Sequence, residues 1–264
     1  MNIIKRELKS NLKSLMLWSL GIIFLISIWM IEYESFAGSP AINDILDSMP
    51  SSLLDAMGMG NMDLSSVAGF LSALSLYLYL ILGIHAVLLG SSIIAKEERD
   101  RTAEYLFALP VSRISIIRSK TIAAVINIIV LNLITAAVVI VTSMNYQKDE
   151  SFYKFLGLLF IAVFLFQMIF LSIGMLVASI NKKYRRSGNI SVSILMISFI
   201  IASLVNMIEK LDFLKYITPF KFFDSDIILE EMRLEPVFIL ISILIIAVGL
   251  GGTFIYYPRR DLNI

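Results

Sequence analysis

The chain has 264 residues, of which 58% are hydrophobic and 16% are charged. Soluble domains usually contain about 45–50% apolar and about 25% charged residues, so this composition indicates a membrane protein and excludes almost any soluble enzyme. The 22 Lys and Arg residues and the 21 Asp and Glu residues give a net charge of +1, which provides no overall attraction to nucleic acid. With no Cys and one His, the chain lacks the residues for a disulfide framework or a thiolate metal site.

Six stretches without Asp, Glu, Lys or Arg are long enough to cross a bilayer. A hydrocarbon core of about 30 Å needs about 20 helical residues. A charge at its centre costs ~2.5–3.5 kcal/mol on insertion scales, so the charged residues are expected between the spans. The sequence therefore predicts a single all-α integral membrane domain over 1–264. Its transmembrane helices are expected at about 14–31, 69–95, 121–145, 155–180, 187–208 and 237–257.

The distribution of Lys and Arg predicts the orientation. Sixteen of the 22 lie in the first and last residues of the chain and in the segments 96–120 and 182–186. The remaining six lie in 148–154 and 209–235. Because connections rich in Lys and Arg stay in the cytoplasm, both termini are predicted to be cytoplasmic.

The N-terminal residues 1–13 are amphipathic. An apolar stripe lies on one helical face and a row of lysines on another: Ile4, Leu8, Leu12 and Leu15, and Lys5, Lys9 and Lys13. This pattern predicts a surface-lying helix with its lysines toward anionic headgroups. The alternative is a basic flank of the first span.

Several polar residues lie within the predicted spans, and each allows two interpretations. His85, Asn127, Asn132 and Gln167 are candidates for an intramembrane polar path. The same residues serve equally as hydrogen-bonding contacts between helices, which is the favoured interpretation. Pairs of small residues four positions apart predict close helix packing: Ala86–Gly90, Gly174–Ala178 and Ala247–Gly251.

The segment 209–235 contains interleaved aromatic residues and lysines. This composition suits the headgroup level of a bilayer. Pro219 makes one straight helix unfavourable, so short re-entrant or surface-lying helices are expected.

The cytoplasmic segment 96–120 combines the highest charge density with an apolar patch at Ala103, Leu106, Phe107 and Leu109. A run of charged residues favours a helix start, and Leu109-Pro110 favours its end. A short helix with an apolar face in the cytosol requires a partner to cover that face. The segment therefore predicts a docking helix.

The same segment resembles the permeases of ATP-binding-cassette (ABC) transporters, in the type-2 exporter class. The resemblance rests on Glu97-Glu98, Thr102-Ala103-Glu104-Tyr105-Leu106, Leu109-Pro110-Val111-Ser112-Arg113 and Lys120, together with Thr218-Pro219-Phe220 before the last span. It extends over the whole chain, because the surface helix and the six spans fit the same class.

The resemblance implies a multi-pass permease subunit of a bacterial cell membrane exporter. Two six-span subunits would pair as a homodimer or heterodimer, and each would rest on a cytoplasmic ABC ATPase subunit through a coupling helix after the second span. The expected coupling residues are Glu97, Glu98, Thr102, Ala103, Glu104, Leu106 and Pro110. No G-x-x-x-x-G-K-[ST] phosphate loop is present, so ATP and Mg²⁺ would be bound by the partner and the chain itself would hold no cofactor.

Two other classes compete with this interpretation. An intramembrane enzyme is disfavoured because the predicted spans contain no carboxylate and the chain has one His. A stand-alone ion-coupled secondary transporter is the alternative. It would need a titratable group near the midplane, and only His85 provides one. The cargo of a permease with such uncharged spans is expected to be apolar or amphipathic: a peptide, a lipid or a drug.

Overall fold

The computed structural model describes residues 3–37, 48–50, 54, 64, 66–100, 111–181 and 184–259. Within these ranges the regular structure is helical and contains no β-strand. Six of the described helices are long and apolar enough to cross a membrane, as predicted. They are α1 (Ile3–Ala37), α2 (Val67–Arg99), α3 (Arg113–Thr142), α4 (Phe152–Ile180), α5 (Tyr184–Met207) and α7 (Pro236–Tyr256). The short helix α6 (Ser225–Glu231) precedes α7.

Two serines fix the starts of α2 and α3. The Gly69 amide donates a hydrogen bond to Ser66 Oγ at 3.0 Å, and the Ser115 amide donates one to Ser112 Oγ at 3.2 Å. Amides in the first turn of a helix have no partner within the helix, so these hydroxyls stabilise the helix starts.

The closest helix contact joins α2 and α4. A Cβ atom on Gly90 would lie 2.3 Å from the Leu171 carbonyl oxygen, and a Cβ atom on Gly174 would lie 2.4 Å from the Val87 carbonyl oxygen. Only glycine allows the two backbones to approach this closely, as in other small-residue contacts in membranes. The predicted close packing at Gly90 and Gly174 is confirmed. On α7 the contact face differs from the prediction, because Gly249 and Gly252 face α4 whereas Gly251 has no atom within 4 Å.

The helix α4 lies at the centre of the bundle, against α2, α3, α5 and α7. The helix α1 packs mainly against α3 and makes few contacts with α2. Near the C-terminal end of α1, the Tyr146 hydroxyl donates to the Met30 carbonyl oxygen at 3.1 Å. A cleft therefore separates α1 from α2 along part of their length.

The N-terminal region differs from the prediction of a separate surface-lying helix over residues 1–13. From Ile3 onward, residues continue directly into the first span as one 35-residue helix, which is about 52 Å long at about 1.5 Å per residue. No Pro or Gly interrupts the chain before Gly21. Most of the apolar stripe is covered within the protein, because Ile4, Leu8 and Leu15 pack against its hydrophobic core, whereas Leu12 is exposed.

The segment 209–235 forms short helices, as predicted: 3₁₀ turns at Glu209–Tyr216 and Pro219–Lys221, followed by α6. Its aromatic residues divide into two groups. Phe213 and Tyr216 are exposed, whereas Phe220, Phe222 and Phe223 are buried in the bundle. The Phe220 ring lies 4.8 Å from the Phe166 ring of α4, centroid to centroid. The segment thus enters the bundle instead of resting only at the headgroup level.

The glycine contact predicts a position-specific effect of added volume. Gly174→Ala should lower the free energy of unfolding of the purified protein in detergent by about 1–3 kcal/mol, because the new methyl group forces α2 and α4 apart. Thermal unfolding followed by circular dichroism measures this. Gly157→Ala on the same helix is the matched control, because nothing lies within 4 Å of its Cβ position. Equal behaviour of the two variants would contradict the close contact.

Candidate functional site

Charged side chains from three helices meet at one end of the bundle, called here the N-terminal end. The start of α1, the end of α2 and the start of α3 contribute five residues, named the charge cluster below: Arg6, Glu7, Lys96, Glu97 and Lys120. The cluster joins residues that are far apart in the sequence, and it adjoins the segment that the sequence singled out for docking.

Lys120 of α3 lies at the centre of the charge cluster. Its Nζ donates to Glu97 Oε1 at 2.7 Å and to the Ile93 carbonyl oxygen at 2.6 Å. A longer contact of 3.4 Å reaches Glu7 Oε1. The side chains of Lys120 and Glu7 are 0% exposed, and that of Glu97 is 3% exposed. One ammonium group therefore binds to α1 and α2 at once.

Two further cations complete the cluster at its edge. Lys96 Nζ donates to Glu7 Oε2 at 3.1 Å, and Arg6 donates to Glu97 Oε1 at 3.4 Å. Buried charges are tolerated only when they are paired and hydrogen-bonded. With three cations around two carboxylates, each buried carboxylate has at least two cationic neighbours.

The spacing on α2 explains why its end takes part. Ile93, Lys96 and Glu97 are three and four positions apart, so they share one helical face. The backbone oxygen, the ammonium and the carboxylate on that face all lie toward α1 and α3. The start of α3 is also tied to the 3₁₀ turn Tyr257–Arg259 that follows α7, because Arg113 donates to the Pro258 carbonyl oxygen at 2.9 Å.

Two of the predicted coupling residues lie within the described chain. Glu97 faces inward and belongs to the charge cluster, and Glu98 is half-buried near the end of α2. Five others lie outside the described residues: Thr102, Ala103, Glu104, Leu106 and Pro110. The role of all seven in coupling stays a prediction. The helix ends on either side of 101–110 are held together by the Glu97–Lys120 ion pair.

The candidate polar residues within the spans occupy separate places. Asn132 of α3 donates a hydrogen bond to the Gln167 side chain of α4, which is the helix-to-helix contact that the sequence analysis favoured. Asn127 donates to the Ala123 carbonyl oxygen of its own helix at 2.9 Å. His85 is buried, and its ring packs edge-on against Trp18 of α1 with 5.3 Å between centroids. A polar path through these four residues stays a prediction.

A second polar cluster lies at the opposite end of the bundle, where α6 docks on α2. Ser72 Oγ donates to Asp226 Oδ1 at 3.1 Å, and the Ser75 and Ser225 hydroxyls are hydrogen-bonded to each other. Burial, together with the nearby Asp224 carboxylate, raises the pKa of Asp226 to about 7, while the hydrogen bond from Ser72 opposes this shift. The Asp226 carboxyl at the α2–α6 contact therefore changes its protonation state near neutral pH.

Comparison with known protein families decides what kind of chain carries these features. A family model described as "ABC-2 family transporter protein" matches residues 1–262. The chain belongs to the ABC-2 transporter family. It is a multi-pass membrane protein and a transmembrane subunit without an ATPase domain. Permeases of the ABC-2 family work with ABC ATPase subunits and typically bind no cofactor. No curated protein matches the chain.

Family membership favours a transporter subunit over the ion-coupled carrier and the intramembrane enzyme considered above. Among the described residues, no group of three or more His, Asp or Glu side chains is arranged to hold a metal ion. The ion pair between Glu7 and Lys120 was not predicted from the sequence. The available signal was that Glu7 is the one acidic residue among the otherwise basic residues 1–13.

The charge cluster predicts a large cost for removing its central cation. Lys120→Met should destabilise the protein by about 3–5 kcal/mol, because Glu7 and Glu97 would remain buried beside each other. Thermal unfolding of the purified variants in detergent provides the measurement. Arg118→Met is the matched control, since Arg118 lies on the same helix and is exposed. A Lys120→Met protein as stable as the Arg118→Met protein would refute the assigned pairing.

The raised pKa of Asp226 predicts a pH dependence of stability. The folded protein binds the proton more tightly than the unfolded chain. The stabilisation from Asp226 is therefore full below its ordinary value of 3.8 and is lost as the pH rises through about 7. Asp226→Asn keeps an acceptor for Ser72 without a charge. It should unfold at a higher temperature than the wild type at pH 8 and match it at pH 4.

Unfolding curves between pH 4 and pH 8 test this expectation. The control is Asp212→Asn, which alters an exposed ion pair with Lys215 and should leave the pH profile unchanged. If the unfolding temperature of the Asp226→Asn variant depends on pH as it does in the wild type, another group controls this pH dependence.

Proposed function

We propose that the chain is the membrane-spanning permease subunit of a bacterial ABC exporter. It moves an apolar or amphipathic substrate outward, driven by ATP hydrolysis in a separate ATPase subunit. The observation that carries the proposal is the family match over residues 1–262. The outward direction and the class of cargo rest on the resemblance and on the uncharged spans described above.

The coupling segment in this proposal covers residues 96–110. Its helix docks on the ATPase through Glu98, Thr102, Ala103, Glu104, Leu106 and Pro110, and Glu97 anchors the segment to the bundle. The inward position of Glu97 supports this division of roles, because its carboxylate contacts Lys120 and Arg6. Movement of the docked helix would reach α1 and α3 through these ion pairs.

The assembly contains two permease subunits in the bacterial cell membrane, with both termini cytoplasmic. The Lys and Arg count supports the orientation, since the charge cluster, the basic start of α1 and Arg259 lie at the same end. The polar side chains of the described spans supply few contacts for a hydrophilic cargo, because Asn132 and Gln167 bind to each other. This favours an apolar or amphipathic substrate such as a peptide, a lipid or a drug.

Recovery of the ATPase tests the coupling assignment. The tagged chain, purified from its native host in mild detergent, should retain an ATP-binding subunit that mass spectrometry identifies. Glu98→Lys or Glu104→Lys should reduce its recovery by at least about tenfold, since like charges across an interface cost several kcal/mol. Glu34→Lys, an exposed charge reversal at the other end of α1, serves as the control.

Two outcomes would count against the proposal. Full ATPase recovery with both coupling variants would place the docking surface elsewhere in the chain. A purified chain that transports in vesicles without any ATPase, driven by an ion gradient, would contradict the permease function itself.

A further inference from the structure

A cavity of about 360 Å³ lies in the cleft between α1 and α2, close to the charge cluster. Asn11, Ser14 and Trp18 line it from α1, and His85, Ser92 and Lys96 line it from α2. Gly188 of α5 lies at its edge. The cavity extends from the N-terminal end of the bundle toward the middle of α2.

The polar lining consists mostly of hydrogen-bond donors. Lys96 and Arg99 contribute positive charge, and each also has a carboxylate neighbour outside the lining, Glu7 for Lys96 and Asp100 for Arg99. The adjoining charge cluster keeps an excess of positive charge, because three cations surround two carboxylates, and no carboxylate is among the described residues that line the cavity.

Two buried nitrogen atoms, Asn11 Nδ2 and His85 Nδ1, have no hydrogen-bond partner within the described part of the chain. Asn11 is one helical turn from Glu7 and so lies near Lys96, whereas His85 is eleven positions from Lys96 on α2, about 16 Å at about 1.5 Å per residue, and does not reach the same head group. The end of the cavity near the charge cluster therefore offers the Asn11 amide, Lys96 and Arg99. This chemistry matches an anionic oxygen ligand such as a phosphate group.

An apolar groove continues from the same cavity. It has a volume of about 300 Å³ and is lined by Leu17, Trp18, Gly21, Ile22, Leu25 and Ile81. Trp18 lines both spaces, so the polar cavity and the apolar groove meet at its ring. A single occupant that fills both must have an anionic head and an apolar tail.

The length of the combined site fits one leaflet of a bilayer. Ile81 and Lys96 are fifteen positions apart on α2, which corresponds to about 22 Å at about 1.5 Å per residue. Half of a bilayer of about 40–45 Å, headgroups included, has nearly the same thickness. We propose that the α1–α2 cleft binds an anionic phospholipid of this leaflet, with its phosphate beside Lys96 and Arg99 and one acyl chain along Gly21 and Ile81.

The site shares Lys96 and Arg99 with the start of the proposed coupling segment, and its remaining lining residues lie outside that segment. Binding of a lipid there does not require an ATPase partner. It accounts for the sparse contact between α1 and α2, since the lipid would fill the space between them. Because it makes no assumption about the cargo, it can be tested on the permease alone, without nucleotide.

Tryptophan fluorescence gives a direct readout. The chain has two tryptophans, so Trp29→Phe leaves Trp18, which lines both parts of the site, as the single reporter. The Trp29→Phe protein in phosphatidylcholine nanodiscs would receive small fractions of phosphatidylglycerol or phosphatidylcholine with brominated acyl chains, which quench tryptophan on contact. Brominated phosphatidylglycerol should reach the same quenching of Trp18 at a mole fraction at least about fivefold lower than brominated phosphatidylcholine. This is the difference expected for one or more cations near the headgroup. Equal quenching would overturn the proposal.

Two variants in the same background separate the head and tail contacts. Arg99→Gln should lower the preference for phosphatidylglycerol about fivefold by removing one headgroup charge. Gly21→Leu should abolish the preferential quenching, since its side chain would occupy the groove and nothing lies within 4 Å of its Cβ position. Gly157→Leu, also without a neighbour within 4 Å, is the control. A Gly21→Leu protein that behaves like this control would refute the acyl position.

The alternative occupant of the cationic end of the cavity is a soluble anion, which would make the same contacts as the phosphate of a lipid. Inorganic phosphate at millimolar concentration should leave the quenching by brominated phosphatidylglycerol unchanged, because it lacks the acyl chain. Displacement of the lipid by phosphate would show that the cavity binds a free anion and would overturn the lipid assignment.

Discussion

Lys120 is the residue on which the arrangement of the N-terminal end depends. It is fully buried, and its ammonium group can remain there only because Glu97, Glu7 and the Ile93 carbonyl oxygen surround it. The buried carboxylates depend on the cations in the same way, since Glu7 and Glu97 can remain buried only with cations near them. The start of α1, the end of α2 and the start of α3 are consequently held in one geometry. In the sequence, this joint flanks residues 101–110, since α2 ends before them and α3 begins after them.

Two different kinds of contact hold the rest of the bundle. Between α2 and α4 the backbones touch through Gly90 and Gly174, and no side chain intervenes. Between α1 and α3 the contact consists of larger side chains and of polar groups near both ends, with Glu7 on Lys120 and Tyr146 on Met30. The pair α1–α3 and the pair α2–α4 are joined at the N-terminal end by the charge cluster and within the bundle by the contact of α3 with α4, which includes the Asn132–Gln167 hydrogen bond. The cleft and its proposed lipid lie along the seam between them.

The helices themselves could be predicted from the sequence because the bilayer excludes charge. Uncharged runs of sufficient length leave few other structures for this chain, and the glycine spacing at positions 90 and 174 marked the closest contact. Ion-pair partners could not be predicted in the same way. Glu7 and Lys120 are 113 positions apart, and Arg6 and Glu97 are 91 apart. The helical periodicity of a sequence identifies the helix face on which a charged residue lies. Which other helix that face contacts is decided by how the helices pack in the folded protein.

The aromatic segment before α7 and the N-terminal stripe illustrate the same limit. Phe213 and Phe220 have similar surroundings in the sequence, yet one is exposed and the other lies against Phe166. Likewise, an apolar stripe beside lysines fits both a lipid surface and a neighbouring helix, and Ile4 and Leu8 pack on the protein core. Hydrophobicity measures the free energy of leaving water, and that gain is nearly the same in lipid and in a protein interior. Composition alone therefore cannot separate the two environments.

The two ends of the bundle are stabilised by charges of different character. At the N-terminal end, buried carboxylates and cations neutralise one another, so the cluster is altered mainly by moving a partner. At the opposite end, α6 is held on α2 partly through the hydrogen bond between Ser72 and Asp226. Because burial raises the pKa of Asp226 to about 7, protonation of this carboxylate changes that contact. In the proposed assembly, the docked ATPase would act on the first of these contacts, and protonation of Asp226 would act on the second. Because α2 carries both Ser72 and Glu97, the two contacts belong to the same helix.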